Sequence, residues 1–179
     1  MNFKYYEVIS HLIPGYLIYQ VVVILYPDLP KIDIIPSIAI AYILGYVNNA
    51  LSSWVESFIY WSWGGKPSTK LLQGKGTYKV KFYEADYARK LLKEELTDEY
   101  RSEDQLFGIA MRYSDYENSE RVKDFNASYA FSRSLLISIC ICSIVILINY
   151  YQSLMSYIVL IPLIVILWFR AKDRGYYYA

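Results

Sequence analysis

The chain has 179 residues, 18 Lys+Arg against 17 Asp+Glu, 55% apolar residues and a mean hydropathy of +0.19. That length holds one domain, or a small domain plus a membrane part. The apolar content excludes a disordered chain, and the even charge balance argues against a general polyanion coat.

The charges are segregated. Residues 8–26 carry none, residues 34–63 carry only Glu56, and residues 135–169 carry none, whereas residues 66–133 hold 13 Lys+Arg and 12 Asp+Glu. A bilayer core of about 30 Å needs roughly 20 helical residues at 1.5 Å each. Four membrane spans are therefore predicted, at about residues 8–26, 34–63, 135–151 and 154–169. The second is long enough to tilt or to project beyond the bilayer. The fourth is the shortest, and a re-entrant hairpin stays open as its alternative. The expected fold class is an all-α membrane protein with about four transmembrane helices and a mostly helical cytoplasmic insert between the second and third. Three segments follow: an N-terminal hairpin (1–63), the insert (64–134), and a C-terminal hairpin with a short tail (135–179).

Basic residues set the expected orientation. Lys4, the 13 in the middle segment, and Arg170, Lys172 and Arg174 fall on one side, leaving only Lys31 on the other. Both termini and the insert are expected in the cytoplasm, with a bacterial inner membrane as the location. Trp61, Trp63 and Trp168 fall at the inner ends of spans. Tyr26, Tyr150, Tyr151 and Tyr157 fall at the outer ends, as interfacial aromatics do. The first span has no small-x-small cleavage site before Pro27 and reads as a retained anchor.

Within the first span, Pro14 frees the carbonyl of Ser10 and kinks the helix, and Gly15 admits a close neighbour. These two are the hinge candidates, with packing as the plainer alternative. His11, the only histidine, lies near the inner end.

The second span carries the most informative pattern. Gly45, Asn48, Asn49, Ser52, Ser53, Glu56 and Tyr60 recur at three- and four-residue spacing and fall within a helix sector about 140° wide. Polar groups inside a bilayer are costly and usually face a bundle interior or a water path. Asn48, Asn49, Ser52, Ser53 and Glu56 are the pore-lining candidates. The alternative is a set of interhelix hydrogen bonds around a neutral Glu56. One chain with one stripe cannot enclose a wide path, so a pore requires a homo-oligomer.

The insert opens at the Gly64-Gly65 break. Lys66, Lys70, Lys75, Lys79 and Lys81 form a basic run suited to anionic membrane lipid, with RNA or an RNA-bound partner as the alternative. The balanced charge argues against strong direct nucleic-acid binding. Alternation over residues 77–83 predicts a short strand. From Glu84 an amphipathic helix is expected, with Tyr83, Tyr87, Leu91 and Leu92/Leu96 on its apolar side. Ser102-Glu103-Asp104-Gln105 reads as a capping box that opens a helix through Arg112, and Ser114-x-x-Glu117 as a second such signal. A further helix from about Ser119 is expected to run unbroken into the third span. Arg89, Lys90, Arg112, Arg121 and Arg133 are candidates for subunit or partner contacts, paired with Glu94, Glu95, Asp115, Glu120 and Asp124 across neighbouring copies. An insert of this size is marginal as a free-standing domain.

Chemistry motifs are absent from the sequence. A single histidine excludes HExxH and zinc clusters, and Gly64-Gly65-Lys66 is not a P-loop. Cys140 and Cys142 lie in the third span and point apart on a helix; they read as packing residues. No catalytic residue, metal or cofactor is expected, and the chain does not read as an enzyme.

The kinked LIPGY first span, the polar-striped second span, the Lys/Arg-bearing helical insert and the C-terminal apolar hairpin together define a layout. It resembles that of the small membrane accessory proteins encoded beside the RNA-guided effector of type VI-B CRISPR systems. The resemblance implies a ring of subunits that forms a membrane pore and depolarises the inner membrane in antiphage defence. The partner it implies is an RNA-guided effector nuclease or its RNA. A ribonuclease motif of arginine followed closely by histidine has been linked to such proteins. Here no arginine precedes His11, and none of the arginines, of which Arg89 is the first, has a histidine after it.

Overall fold

A computed structural model describes residues 5–30, 32–77, 80, 82, 84–95, 102–116 and 120–179, with backbone alone at 5–7, 114–116 and 120–121. The described residues are helical, without strands: α1 (Tyr5–Leu25), α2 (Ile34–Trp54), α3 (Glu56–Ser62), α4 (Pro67–Leu72), α5 (Ala85–Glu94), α6 (Glu103–Tyr116), α7 (Glu120–Tyr150) and α8 (Leu154–Tyr178). Four of them, α1, α2, α7 and α8, are long and apolar enough to cross a membrane. The chain divides into two compact units, Met1–Glu56 with Ala127–Ala171, and Ser57–Asn126 with Lys172–Ala179.

The first unit is built around a close helix pair. α1 and α2 run antiparallel, since Tyr19 meets Ser37 at 2.9 Å while His11 meets Asn49 at 3.3 Å. Between these contacts the two backbones touch. A Cβ placed on Gly15 would overlap the carbonyl oxygen of Ala41 and the backbone nitrogen of Gly45, and one on Gly45 would overlap the carbonyl of His11. Gly15 thus admits the neighbouring helix, as expected. Pro14 is fully buried beside it, inside a helix that continues through it.

α7 runs antiparallel to α2 and α3, with Asn48 of α2 against Ser134 and Glu56 of α3 against Tyr129. A turn at Tyr151–Gln152 reverses the chain into α8, where Ser153 N–H donates to the Tyr150 carbonyl at 3.0 Å.

What this unit hides and shows is the reverse of a water-soluble domain. Its buried residues include Asn48, Ser52, Ser132, Arg133, Ser134, Ser138 and Ser143, while Ile34, Ile35, Ile43, Ile148, Leu154, Met155 and Ile166 are exposed. A soluble monomer rarely shows so large a continuous apolar surface. Small and polar residues inside with aliphatics outside is the pattern of helices packed in lipid, where apolar burial no longer drives association.

The second unit has a small apolar core of Trp63, Leu71, Leu72, Ala85 and Leu106. Gly64 and Gly65, at φ 79° and 125°, turn the chain after α3, a conformation glycine adopts without a steric penalty. Lys70 Nζ closes that turn by donating to the Trp63 carbonyl at 2.8 Å, and Pro67 opens α4 in its first turn, where its missing N–H costs nothing. Lys66 pairs with Asp104 at 2.7 Å and Arg89 with Glu103, so α4 and α5 are each tied to the start of α6.

Three expectations change. The second span is not one helix from 34 to 63: it breaks at Val55, whose N–H bonds back to Leu51 and Ser53. The strand expected at 77–83 is not formed by its described residues. Thr77 N–H instead bonds the Val80 carbonyl at 2.8 Å, and Val80 N–H bonds Thr77 Oγ1 at 3.1 Å, which closes a turn. The fourth helix does not end at 169 but runs to Tyr178. The helix from 119 into the third span is continuous from Glu120. The Ser102 box forms through its glutamine, since Ser102 N–H donates to Gln105 Oε1 at 3.2 Å. The helix it opens passes Arg112 and continues to Tyr116. The side chains of the second box, Ser114 and Glu117, lie outside the described residues.

Candidate functional site: a polar seam between two membrane helices

The polar stripe of α2 meets α7 of the same chain. Asn48 is 1% exposed, and its amide nitrogen donates to the Ser134 carbonyl at 2.9 Å and to Ser134 Oγ at 2.7 Å. Its amide oxygen is buried without a partner. A buried acceptor left unpaired costs about 1–3 kcal/mol. Asn49 turns toward α1 and bonds His11, whose ring lies 5.9 Å from those of Tyr42 and Tyr46.

One turn on, Arg133 reaches across from α7. Its side chain is 9% exposed and all three of its nitrogens are engaged. Nε donates to Ser52 Oγ at 3.3 Å, Nη2 to Ser53 Oγ at 2.8 Å, and Nη1 to Glu56 Oε1. Tyr129 donates to the same Glu56 oxygen at 2.8 Å, and its ring lies 5.2 Å from the guanidinium. Ser138 continues the line along α7, donating to the Ser134 carbonyl at 3.1 Å. The seam thus holds one cation, one carboxylate and a row of hydroxyl and amide groups.

Four of the five pore-lining candidates, Asn48, Ser52, Ser53 and Glu56, are brought together here, and Asn49 lies on the α1 side. Asn48 and Ser52 are buried in the single chain: the Asn48 amide nitrogen donates to Ser134, and Ser52 Oγ accepts from Arg133 and donates to the Asn49 carbonyl. The contact residues are spread more widely. Arg133 is buried and bonds Glu56 inside its own unit. Arg89 pairs with Glu103 within the chain. Lys90 sits 4.0 Å from Glu94 one turn along α5. Arg112 is exposed in a shallow cleft with Glu95, Ile109 and Tyr113. The side chains of Arg121, Asp115 and Glu120 lie outside the described residues. Of the hinge candidates, Pro14 and Gly15 sit in the tight α1–α2 crossing.

Sequence reasoning did not find Tyr129, Ser134 and Ser138 as seam members. A signal for the central pair was nonetheless present: Glu56 is the only charge within 34–63, and Arg133 is the last charge before the uncharged run of 135–169.

The second unit contains a separate feature, a partly open apolar cavity of about 700 Å³. Among the described residues no group of three His, Cys, Asp or Glu gathers in metal-binding geometry.

No protein-family model matches the chain, and no curated protein or solved structure matches it.

Proposed function

We propose that the chain is a homo-oligomeric membrane pore or channel-like effector whose polar path is shut, in the single chain, by the Arg133–Glu56 pair. The observation that carries this reading is that pair, with its serine and tyrosine partners, where the end of α2, a helix suited to span a bilayer, passes into α3 and meets α7, another such helix. Ionisable groups at such positions are costly, and where they occur they mark ion paths or switches more often than scaffolding. Stability does not account for them, because an apolar pair of similar volume is often as stable or more so. The unpartnered Asn48 oxygen supports the same reading: a seam built only for packing gains nothing from a buried acceptor, while one that takes up water on opening does. Parting α2 from α7 would expose Asn48, Ser52, Ser53, Glu56, Ser134 and Ser138 along one side of a path, and neighbouring copies would supply the rest of its wall.

In this reading the protein lies in a bacterial inner membrane with both termini in the cytoplasm, on the strength of the basic-residue bias. The resemblance in layout extends it to antiphage defence by depolarisation, with an RNA-guided effector nuclease or its RNA as partner. The test is ion flux from liposomes holding equal amounts of inserted protein. Asn48→Ala with Glu56→Ala alters flux if the seam is the path. Unchanged flux with the protein still inserted removes the seam from the path.

One observation favours a second reading, a non-conducting membrane anchor that recruits a cytosolic enzyme. On α5, Tyr87 is 62% exposed and Leu91 is exposed beside it, an uncovered apolar strip on an otherwise charged helix. In that reading Tyr87→Glu abolishes recruitment of the enzyme to membranes, while seam substitutions are silent.

A further inference from the structure

The two hydroxyls that meet Arg133 from the end of α2 have already spent their protons. Ser52 Oγ donates to the Asn49 carbonyl at 2.8 Å, and Ser53 Oγ donates to the same carbonyl at 3.2 Å. A serine carries one O–H and two lone pairs. A bond to a carbonyl of its own helix turns that proton back along the helix and leaves lone pairs for the neighbour. Asn48 has the same character one turn deeper. Its nitrogen must face Ser134, because the Ser134 carbonyl can only accept. The atom left buried without a partner is therefore an acceptor, the amide oxygen. With the Glu56 carboxylate, this side of the seam is a row of oxygen acceptors.

What meets the row is a cation. Arg133 has donors only, and its guanidinium donates to Ser52 Oγ, Ser53 Oγ and Glu56 Oε1. An anion in its place would meet lone pairs and a carboxylate. Acidic side chains and oxygen dipoles line cation paths, whereas anion paths present Arg or Lys to the ion; here the arginine is itself the ion held by the oxygens. One carboxylate balances one positive charge, which favours a monovalent ion over a divalent one.

We infer that Ser52, Ser53 and Glu56 form a site for a small monovalent cation, and that Arg133 fills it in the closed chain with its own guanidinium as a tethered ion. A free cation and Arg133 compete for the same oxygens, and Asn48 Oδ1 is the next acceptor along α2. The site does not depend on whether the protein conducts. That a cation is the ion passed through an opened seam rests on the pore reading above.

The test is chemical rescue of Arg133→Ala in the full chain, in detergent at constant ionic strength. Millimolar guanidinium chloride or potassium chloride restores most of the thermal midpoint that the variant loses. Tetramethylammonium chloride, whose cation has no N–H to donate and is too bulky for the site, restores none, and the wild type responds to none of the three. Adding Glu56→Gln removes the rescue. Arg133→Lys and Arg133→Met cover an alanine variant that does not fold: lysine keeps a tethered cation and retains more of the midpoint than methionine. Recovery by neither guanidinium nor potassium, equal recovery by tetramethylammonium, or methionine at or above lysine overturns the inference. In planar bilayers under a potassium chloride gradient, the wild-type current reverses toward the potassium equilibrium potential. Reversal toward that of chloride overturns the inference and keeps the pore, whereas rescue without any current upholds the site and removes the pore.

Discussion

Arg133 is the residue on which the membrane unit turns, because it satisfies Ser52 and Ser53 of α2 and Glu56 at the start of α3 at once while almost wholly out of water. Removing one partner of a buried pair leaves the other charge uncompensated, at a cost of about 3–5 kcal/mol. Glu56 keeps 30% of its side-chain exposure, so the lower end of that range is expected. Arg133→Gln or Glu56→Gln should therefore lower the thermal midpoint in detergent and raise basal ion flux. The exchange Glu56→Arg with Arg133→Glu should recover most of both, whereas a pair without structural weight would leave all three variants alike. The sequence showed both residues as lone charges at the ends of apolar runs but not as partners, since 77 positions separate them and only the packing of α7 on α2 joins them. In the second unit, Tyr113 gives a pH-dependent prediction. Its pKa is raised by the hydrogen bond to Glu95 first, then by burial, then by the Glu95 charge. The folded chain thus holds this phenolic proton more tightly than the unfolded chain does. The contribution is complete below the ordinary value of about 10 and is lost as pH rises through the raised folded value. Tyr113→Phe should flatten that alkaline loss, read as the difference in unfolding midpoint between wild type and variant across pH 9–11.

At the scale of elements, the α1–α2 pair depends on two glycines with no room for a side chain. The atoms that a Cβ would strike are backbone, which cannot rotate aside, so Gly15→Ala or Gly45→Ala must push the helices apart. Overpacking of this kind costs about 1–3 kcal/mol and occasionally more. Either variant should lower the thermal midpoint and weaken a cysteine crosslink engineered between positions 19 and 37; an unchanged midpoint and crosslink would show that the two helices do not meet there. The elements themselves were largely legible, for a physical reason. A bilayer demands long uncharged helices, and those runs stand out in a chain whose charge is otherwise dense. The break at Val55 was not legible because no proline or glycine marks it. The strand expected at 77–83 rested on a weak signal, because alternation over so few residues carries little information, and among its described residues Thr77 bonds Val80 locally instead. The Ser102 box was legible because its signal is short-range and complete within four residues.

At the scale of the whole molecule, the stripe on α2 was legible as a set of residues but not as an arrangement. Its spacing put Asn48, Ser52, Ser53 and Glu56 on one side; it could not say that Ser134, Arg133 and Tyr129 would be waiting for them. The seam is closed within one chain, and one chain has no wall to complete a path once it opens. The pore reading therefore stands or falls on assembly: opening must be coupled to contact between copies through the aliphatic surfaces that each membrane unit leaves uncovered. Stripe substitutions should then act on flux without preventing assembly, since Asn48 and Ser52 are buried away from those surfaces; loss of the oligomer in the Asn48→Ala, Glu56→Ala variant, measured by light scattering, would place them at the interface instead. The most direct measurement is single-particle imaging of the full chain purified in mild detergent. The account predicts a closed ring of several copies around a central path, with the α2–α7 seam turned toward it. A monomer, or a compact dimer without a central path, would contradict it and leave the membrane anchor as the working description.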